Sequence, residues 1–253
     1  MEETSVMGAR LSGKVAFVTG GSRGIGAAIC QAFADEGATV VLTYGGSKDK
    51  AEAVAAAINS KGGKAEAVGC DARKQGETAR VMSAAAEKHG RIDILVNNAG
   101  IAREVTLRKM SDEDWNDVMA VNVTAPFEAI RLAANIMEPG GSIITVGSIL
   151  GDRAPSPGLG SYCASKAAVQ LLTKAAAREL GRKGLRANVI QPGPIDTDMN
   201  PADGETADLQ RMMVPLGRYG KADEIASVAV FLASDEASFV TGTTIDVAGG
   251  LTA

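Results

Sequence analysis

A glycine-rich turn between an apolar strand and an amphipathic helix constrains the fold of this chain more than any other stretch. The turn GGSRGIG covers residues 20–26 and directly follows the mostly apolar run 14–19. Apolar residues then recur at helical spacing from Ile25 to Phe33, and Gly37 is placed to end the helix. Residues 39–42 supply the next strand, so a βαβ unit is predicted, with a turn that lets a phosphate approach free N–H groups.

The same alternation of strands and helices continues along the chain. Further strands are predicted at 64–69, 92–96, 142–148, 186–191 and 244–247. Helices are predicted at 50–61, from the end of strand 64–69 to about residue 88, and at 112–137, 161–182 and 223–233. Their strands are continuously apolar, which is typical of a parallel sheet covered on both faces. We therefore expect a single α/β domain over residues 1–253, a Rossmann-type doubly wound sheet of about seven strands.

Composition limits the classes of partner. A formal net charge of -4 argues against a general nucleic-acid or membrane-surface binder. The three cysteines, Cys30, Cys70 and Cys163, have no CxxC spacing, so neither a disulfide framework nor a zinc site is expected. The acidic start MEETSVMGAR lacks an apolar core of signal-peptide length, and no apolar run reaches membrane-spanning length. We expect a soluble, cytoplasmic protein without a metal.

Tyr162 and Lys166 form a candidate proton-transfer pair. They lie four residues apart in a predicted helix, so they project from one face, and the ammonium favours ionisation of a phenol whose ordinary pKa is near ~10. Alone, the pair fits a solvated helix face equally well. Ser148 ends a strand at the sheet edge where Tyr162 begins its helix, and its hydroxyl is placed to hold a carbonyl that Tyr162 protonates.

Pro126 interrupts the predicted helix 112–137. It has no N–H to donate to the carbonyl of Asn122, four residues earlier. One interpretation is a simple kink. The other is a free carbonyl that holds a water and passes protons from Lys166 towards solvent.

Taken in order, the motifs resemble those of short-chain dehydrogenase/reductases over almost the full length. They are TGGSRGIG (19–26), NNAG (97–100), Asn122, Ser148, Tyr162-x-x-x-Lys166 and Pro192-Gly193. The resemblance implies hydride transfer between a nicotinamide and a carbonyl carbon, with Tyr162 as general acid/base and Ser148 orienting the carbonyl. It implies that Lys166 lowers the tyrosine pKa and holds the nicotinamide ribose, and that Asn122 holds the relay water.

The resemblance also implies a set of cofactor-binding residues. The glycines admit the pyrophosphate, Asp71 meets the adenine, the 98–100 segment lines the cofactor, and Ile195 and Thr197 hold the carboxamide end. With Arg23, Ser47 and Lys48, which the charge near the second strand adds, the full set of expected cofactor-binding residues is Gly20, Ser22, Arg23, Gly24, Ile25, Gly26, Tyr44, Ser47, Lys48, Asp71, Ala72, Asn98, Ala99, Gly100, Tyr162, Lys166, Pro192, Gly193, Ile195 and Thr197.

Charge near the end of the second strand favours NADP(H). A carboxylate that would bind a ribose 2′-hydroxyl is absent there, because no acid lies between Thr43-Tyr44 and Asp49. Arg23, Ser47 and Lys48 can instead make charge-assisted bonds to a 2′-phosphate.

Two further segments carry expectations about substrate and assembly. Residues 196–214 are polar and contain Pro201 and Gly204, so we expect a substrate lid whose acidic residues disfavour a strongly anionic substrate. Opposite its catalytic side, the helix of Tyr162 has an apolar stripe, which predicts a partner subunit; the resemblance implies a homotetramer, or a homodimer. The stripe consists of Ala164, Ala168, Leu171, Leu172 and Ala175. His89, at a helix end, is expected to interact with the helix dipole rather than to take part in catalysis.

The resemblance leaves the substrate open. It extends to β-ketoacyl carrier-protein reductases, although GDRAPSPGLGS (151–161) departs from the Gly-Asn…Gln-x-Asn pattern usual there. The GDR of 151–153 and QPGPIDTD (191–198) are closer to a bacterial subgroup that includes a biofilm-dispersal protein proposed to bind a cyclic dinucleotide. The two classes of function are thus an NADPH-dependent carbonyl reductase and a nucleotide-binding regulatory protein with little turnover.

Overall fold

A parallel sheet forms the centre of the computed structural model, which describes residues 9–253. Its strands are β1 (Val15–Val18), β2 (Thr39–Tyr44), β3 (Lys64–Gly69), β4 (Ile94–Asn97), β5 (Ser142–Val146), β6 (Arg186–Pro192) and β7 (Thr244–Val247). They lie in the order β3-β2-β1-β4-β5-β6-β7, and every neighbouring pair is parallel. The predicted doubly wound α/β fold is confirmed. Residues 1–8, which carry most of the expectation about a signal peptide, lie outside the described residues.

The helices largely follow the predicted pattern, with two corrections. They are α1 (Gly24–Asp35), α2 (Lys48–Ser60), α3 (Glu77–His89), α4 (Asp112–Met119), α5 (Ala125–Ile136), α6 (Gly160–Leu180), α7 (Ala207–Met213) and α8 (Ala222–Ala233). The single helix expected at 112–137 is wrong, because a π-helical turn, Ala120–Thr124, separates α4 from α5. The second correction is α7, which lies inside the expected lid and was not predicted.

Both faces of the sheet are covered by helices. Alternate residues of one strand serve opposite faces: Ile94 and Val96 belong to one apolar cluster, and Leu95 belongs to the other. The first cluster includes residues of α1, α2 and α8, and the second includes residues of α3, α5 and α6. Phe33 and Phe17, one in each cluster, are fully buried, and each such side chain contributes about 1.5–3 kcal/mol.

The sheet gathers the sequence motifs at its carboxyl edge. The strand order reverses beside β1, since β2 and β3 lie on one side and β4 to β7 on the other. The glycine turn follows β1, the NNAG segment begins at the last residue of β4, and Ser148 lies two residues beyond β5. In open parallel sheets ligands bind in the crevice at such a reversal.

Other sequence expectations concern residues away from this edge. Cys30, Cys70 and Cys163 are buried free thiols. His89 is at the last turn of α3 as expected, and its Nε2 also lies 2.7 Å from Glu66 Oε1 on β3. Across residues 9–253 no helix is both long and apolar enough to cross a membrane, and no cluster of three metal-ligating side chains occurs there.

Candidate active site

The glycine turn is a backbone cradle that excludes side chains both by its backbone angles and by close contacts. Gly20 and Gly24 have φ angles of +69° and +52°, which disfavour other residues. A Cβ on Gly26 would lie 2.2 Å from the carbonyl oxygen of Gly20. Ser22 and Ile25 are half-buried in the same turn. The turn therefore holds its shape at the N-terminus of α1, where free N–H groups favour an anion.

The NNAG segment is bonded to this turn. Asn98 Nδ2 donates to the carbonyl oxygens of Thr19 and Gly20, at 2.9 and 3.0 Å. The Thr19 hydroxyl in turn accepts from the backbone N–H groups of Asn98 and Ala99, both at 3.0 Å. The side-chain amide of Asn98 thus holds the cradle in place. The expected contacts of Asn98 and Ala99 with a cofactor stay predictions.

Gly100 lies where the cradle meets the proton-transfer residues. A Cβ built on Gly100 would lie 3.5 Å from both Asn122 Oδ1 and Lys166 Nζ. Gly100 therefore lies directly beside both polar groups.

The residues expected to carry the chemistry converge at the end of β5. Lys166 is buried, and its Nζ donates to the carbonyl oxygen of Val146 at 2.9 Å. The same Nζ lies 5.5 Å from the centroid of the Tyr162 ring. Ser148 is also buried, and its hydroxyl accepts from the N–H of Leu150 at 3.1 Å. Hydrogen bonding by the same hydroxyl acts to lower the pKa of the Tyr162 phenol. One helix and one strand end thus bring phenol, ammonium and hydroxyl together.

The pKa of Tyr162 differs from the sequence expectation. Burial raises the pKa of its phenol, and the Ser148 hydroxyl only partly opposes this. Burial also lowers the pKa of Lys166 to about 8. The net shift of the Tyr162 pKa is therefore upward, because desolvation dominates, and a lowering contribution from Lys166 stays a prediction.

Asn122 ties two elements together through its side chain. Its Oδ1 accepts from Ile101 N and its Nδ2 donates to Ile101 O, both at 2.9 Å. Nδ2 also donates to Ser165 Oγ at 2.9 Å, and that hydroxyl donates to the carbonyl of Tyr162 at 2.7 Å. The buried amide therefore fixes the start of α6 relative to the loop after β4. Ser165 is a supporting residue that the sequence did not single out.

The backbone around Asn122 departs from the expected kink. Asn122 lies within the π-helical turn, whose wider path begins at Ala120, and Pro126 is the second residue of α5. A wide turn relieves the clash between a proline ring and the carbonyl four residues earlier. The expected interruption is real, and the role of the Asn122 carbonyl in holding water stays a prediction.

Three charges meet beside the end of β2. Lys50 Nζ lies 2.9 Å from Asp198 Oδ2, and Arg23 Nη1 lies 3.8 Å from the same oxygen. Lys48, the expected phosphate ligand, instead lies 3.6 Å from Glu52 on its own helix, and Ser47 precedes that helix as its N-cap residue. Neither Lys50 nor Asp198 was predicted here; the only local signal was a second lysine in the run SKDK (47–50).

The expected adenine site has a pre-existing ion pair. Arg73 Nε donates to Asp71 Oδ1 at 2.9 Å, and this pairing lowers the pKa of the Asp71 carboxyl. Ala72 lies between the two residues. At the end of β2, the Tyr44 hydroxyl is 3.6 Å from a Cβ placed on Gly69, so the ring lies over β3.

The segment after β6 returns to the glycine turn. Pro192 ends β6, and the N–H of Gly193 donates to Val247 O at 3.0 Å. Ile195 is buried and forms a bridge with Gly220. A Cβ on Gly24 would lie 3.2 Å from Thr197 Cγ2, so Thr197 packs beside the cradle.

A second contact between loops was also missed by sequence reasoning. The Nε2 of buried Gln191, on β6, donates to Asp152 Oδ2 at 3.0 Å. This bond links the loop after Ser148 to the strand that leads into Pro192. Its 39-residue separation leaves no local pattern by which to find it.

Comparisons with known proteins agree with this geometry. The profile of a family described as Enoyl-(Acyl carrier protein) reductase matches residues 20–252. The Cyclic-di-GMP-binding biofilm dispersal mediator protein of Escherichia coli (strain K12) is 42% identical over 246 residues, covering 96% of this chain and all of that protein. The 3-oxoacyl-(acyl-carrier-protein) reductase of Staphylococcus aureus is 40% identical over 241 residues, covering 94% of this chain and 98% of that protein.

A solved structure is similar over nearly the whole chain. The crystal structure of a short chain dehydrogenase from Burkholderia cenocepacia J2315 in complex with NADP has a TM-score of 0.94 and 43% sequence identity. The similarity covers 96% of this chain and 100% of that one.

Proposed function

The chain belongs to the short-chain dehydrogenase/reductase family of oxidoreductases, and from this premise we propose that it is an NADP(H)-dependent carbonyl reductase. It would reduce a ketone or aldehyde to an alcohol, reversibly, with Tyr162 as the proton donor. The observation that carries the proposal is the position of Gly100, whose Cβ site is 3.5 Å from both Asn122 Oδ1 and Lys166 Nζ. At that point the cradle and the proton-transfer residues are adjacent.

The residues of the cradle fit NADP(H). A pyrophosphate needs close backbone approach, and the turn offers glycines at positions where a Cβ would collide. A 2′-phosphate needs cations, and Arg23 and Lys50 converge beside the end of β2. The similar Burkholderia structure, which is a complex with NADP, supports the same cofactor. When bound, NADPH supplies the hydride.

Within this proposal the chain's own residues position the substrate and move the proton. The Ser148 hydroxyl orients the substrate carbonyl, and the phenol of Tyr162 donates its proton to the oxygen as hydride reaches the carbon. The Lys166 ammonium, beside the ring, stabilises the phenolate left behind and also binds the nicotinamide ribose. Asn122 is proposed to hold the relay water through its backbone carbonyl, while its amide fixes α6.

The lid and the assembly are parts of the same proposal. Residues 196–214 are proposed to cover the substrate, and exposed apolar side chains there, including Met212 at 78% exposure, favour an apolar carbonyl compound. Exposed apolar residues on α6 support a homodimer or homotetramer of this single domain. Buried free thiols at all three cysteines support a reducing, cytoplasmic setting.

Two alternatives have observations in their favour. The 40% identity to a 3-oxoacyl-(acyl-carrier-protein) reductase favours an acyl-thioester substrate. The 42% identity to a cyclic-di-GMP-binding protein favours a nucleotide-binding regulatory role with little turnover. In either case the glycine cradle keeps its function as a dinucleotide site.

The Tyr162→Phe variant tests the proposal. Turnover of NADPH with a panel of ketones, aldehydes and 3-oxoacyl thioesters should fall by roughly 10²–10⁴-fold, because the proton donor is lost. NADPH affinity, measured by fluorescence titration, should stay close to that of the wild type. Tyr219→Phe removes a phenol hydroxyl elsewhere and should keep most turnover. A wild type that binds NADPH yet reduces no member of the panel would favour the regulatory alternative.

A further inference from the structure

Asp198, in the proposed lid, forms ion pairs with Arg23 and Lys50, the two cations that face the proposed 2′-phosphate position. Asp198 Oδ2 lies 2.9 Å from Lys50 Nζ and 3.8 Å from Arg23 Nη1. Arg23 is the N-cap residue of α1, Lys50 is in the first turn of α2, and Asp198 follows β6. A separation of 148 residues between Lys50 and Asp198 means that the fold, not the local backbone, brings this carboxylate here.

A phosphate and this carboxylate would compete for the same donors. Oxygens of both groups accept charge-assisted hydrogen bonds from guanidinium and ammonium groups. Hydrogen bonding from Lys50 lowers the pKa of the Asp198 carboxyl, so the carboxylate is charged at neutral pH. A phosphate monoester brings a charge of about −1.5 to −2, and it would repel a carboxylate left beside it.

The existing ion pairs are weak enough to be replaced. About half of each side chain is exposed: 55% for Arg23, 57% for Lys50 and 54% for Asp198. Exposed pairs of this kind contribute only about 0–1 kcal/mol. A more highly charged anion can therefore displace the carboxylate without disturbing the core.

We propose that Asp198 is a specificity-determining residue for the 2′-phosphate, pairing with Arg23 and Lys50 until the phosphate takes its place and releases the start of the lid. The inference rests on the proposed NADP(H) dependence. Thr197, the adjacent residue, packs beside Gly24, so the release occurs directly over the cradle. Because the carboxylate and the phosphate compete for the same cations, weakening the Asp198 contact strengthens phosphate binding by at most the same factor.

Cofactor dissociation constants for Asp198→Asn provide the first test. The variant should bind NADPH roughly two- to fivefold more tightly than the wild type, because the phosphate no longer has to displace a carboxylate whose exposed ion pairs contribute up to about 1 kcal/mol. Its affinity for NADH, which lacks the phosphate, should change much less. Asp49→Asn is the matched control: Asp49 is exposed in the same turn of α2 and forms no ion pair within residues 9–253. It should change the NADPH affinity clearly less than Asp198→Asn does.

Hydrogen–deuterium exchange of the lid provides the second test. Adenosine 2′,5′-bisphosphate carries the phosphate without the nicotinamide, so it should release Asp198 without closing the lid. In the wild type it should speed exchange in the peptide containing residues 196–200, whereas adenosine 5′-monophosphate should not. In Asp198→Asn exchange should already be fast, and the bisphosphate should add little.

The outcomes separate this inference from the proposed cofactor. If the wild type prefers NADPH and Arg23→Gln loses that preference, the phosphate site stands. Unchanged NADPH affinity in Asp198→Asn, or equal exchange with the two adenosine nucleotides, would then overturn the role of Asp198 alone. A wild type that binds NADH as tightly as NADPH would contradict the cofactor proposal and this inference together.

Discussion

Burial disfavours charge on both Tyr162 and Lys166. It raises the pKa of the phenol and lowers the pKa of the ammonium to about 8. A phenol that stays protonated at neutral pH is in the form that donates a proton to a carbonyl. The lysine keeps its charge below about pH 8, where it can stabilise the phenolate that donation leaves.

The buried lysine predicts that stability rises with pH on the alkaline side of neutrality. The pKa of Lys166 falls from 10.5 to about 8 on folding, so between these values the unfolded chain holds a proton that the folded chain has lost. The free energy of unfolding therefore increases with pH across this window, by a total on the order of 3 kcal/mol. Urea unfolding between roughly pH 7.5 and 9.5, which lies within this window, measures the increase.

Tyr162 and a variant that lacks Lys166 separate the Lys166 contribution from others. Tyr162 acts in the opposite direction above about pH 10, because its raised pKa makes the unfolded chain lose its proton first. Lys166→Met has no ammonium to titrate and should give a flatter curve than the wild type. Parallel curves for the two proteins would show that Lys166 is not the source.

At the residue scale, the convergence of the candidate residues at one sheet edge was predictable, and their pKa values and ion pairs were not. Tyr162, Lys166 and Ser148 were singled out because strand ends and helix starts share one edge of a parallel sheet. The pKa of Tyr162 depends on how completely its neighbours exclude water. The four-residue spacing between Tyr162 and Lys166 carries no information about this burial. The position of Asp198 depends on how a long segment folds back over the sheet.

At the scale of elements, the glycine turn gives a sharp steric prediction. In Gly26→Ala the new methyl would lie 2.2 Å from the Gly20 carbonyl oxygen, so the turn must shift. We expect a loss of stability of about 1–3 kcal/mol and a fall of at least roughly tenfold in NADPH affinity, because the backbone no longer approaches the pyrophosphate. Thermal unfolding and cofactor titration measure the two effects.

A second helical glycine provides the matched control. Gly181, after α6, has a helical φ of -58°, and a Cβ there would meet nothing within 4 Å. Gly181→Ala should leave NADPH affinity unchanged and hold or raise stability, by up to about 1 kcal/mol. Equal losses in both variants would contradict the steric explanation.

Element boundaries were predictable where one local pattern dominates. Strand β3 occupies the predicted residues 64–69, since the short segment between Gly63 and Gly69 has little room for a helix. The π-helical turn at Ala120–Thr124 was not predicted, because proline signals an interruption without specifying its form. Helix α7 was missed because seven residues in a polar segment are too short to show a helical period.

At the scale of the molecule, the alternation of strands and helices predicted the architecture. Continuously apolar strands need cover on both faces, and only helices between parallel strands provide it. Surfaces were less predictable. An apolar stripe on α6 indicates a contact, but its occupant depends on which neighbours the fold places there. Leu172 packs against the core, whereas Leu171 is 66% exposed.

The exposed face of α6 predicts self-association that one charge should weaken. Leu171, flanked along the helix by exposed Ala164 and Ala175, offers apolar area whose burial contributes about 1.5–3 kcal/mol per leucine. Leu171→Glu would place an unpaired charge in such a contact, so it should shift the protein towards smaller species in sedimentation velocity at micromolar concentration. Leu209→Glu, at an exposed apolar position on α7, should not. A wild type that sediments as a monomer would show that this face has no partner copy.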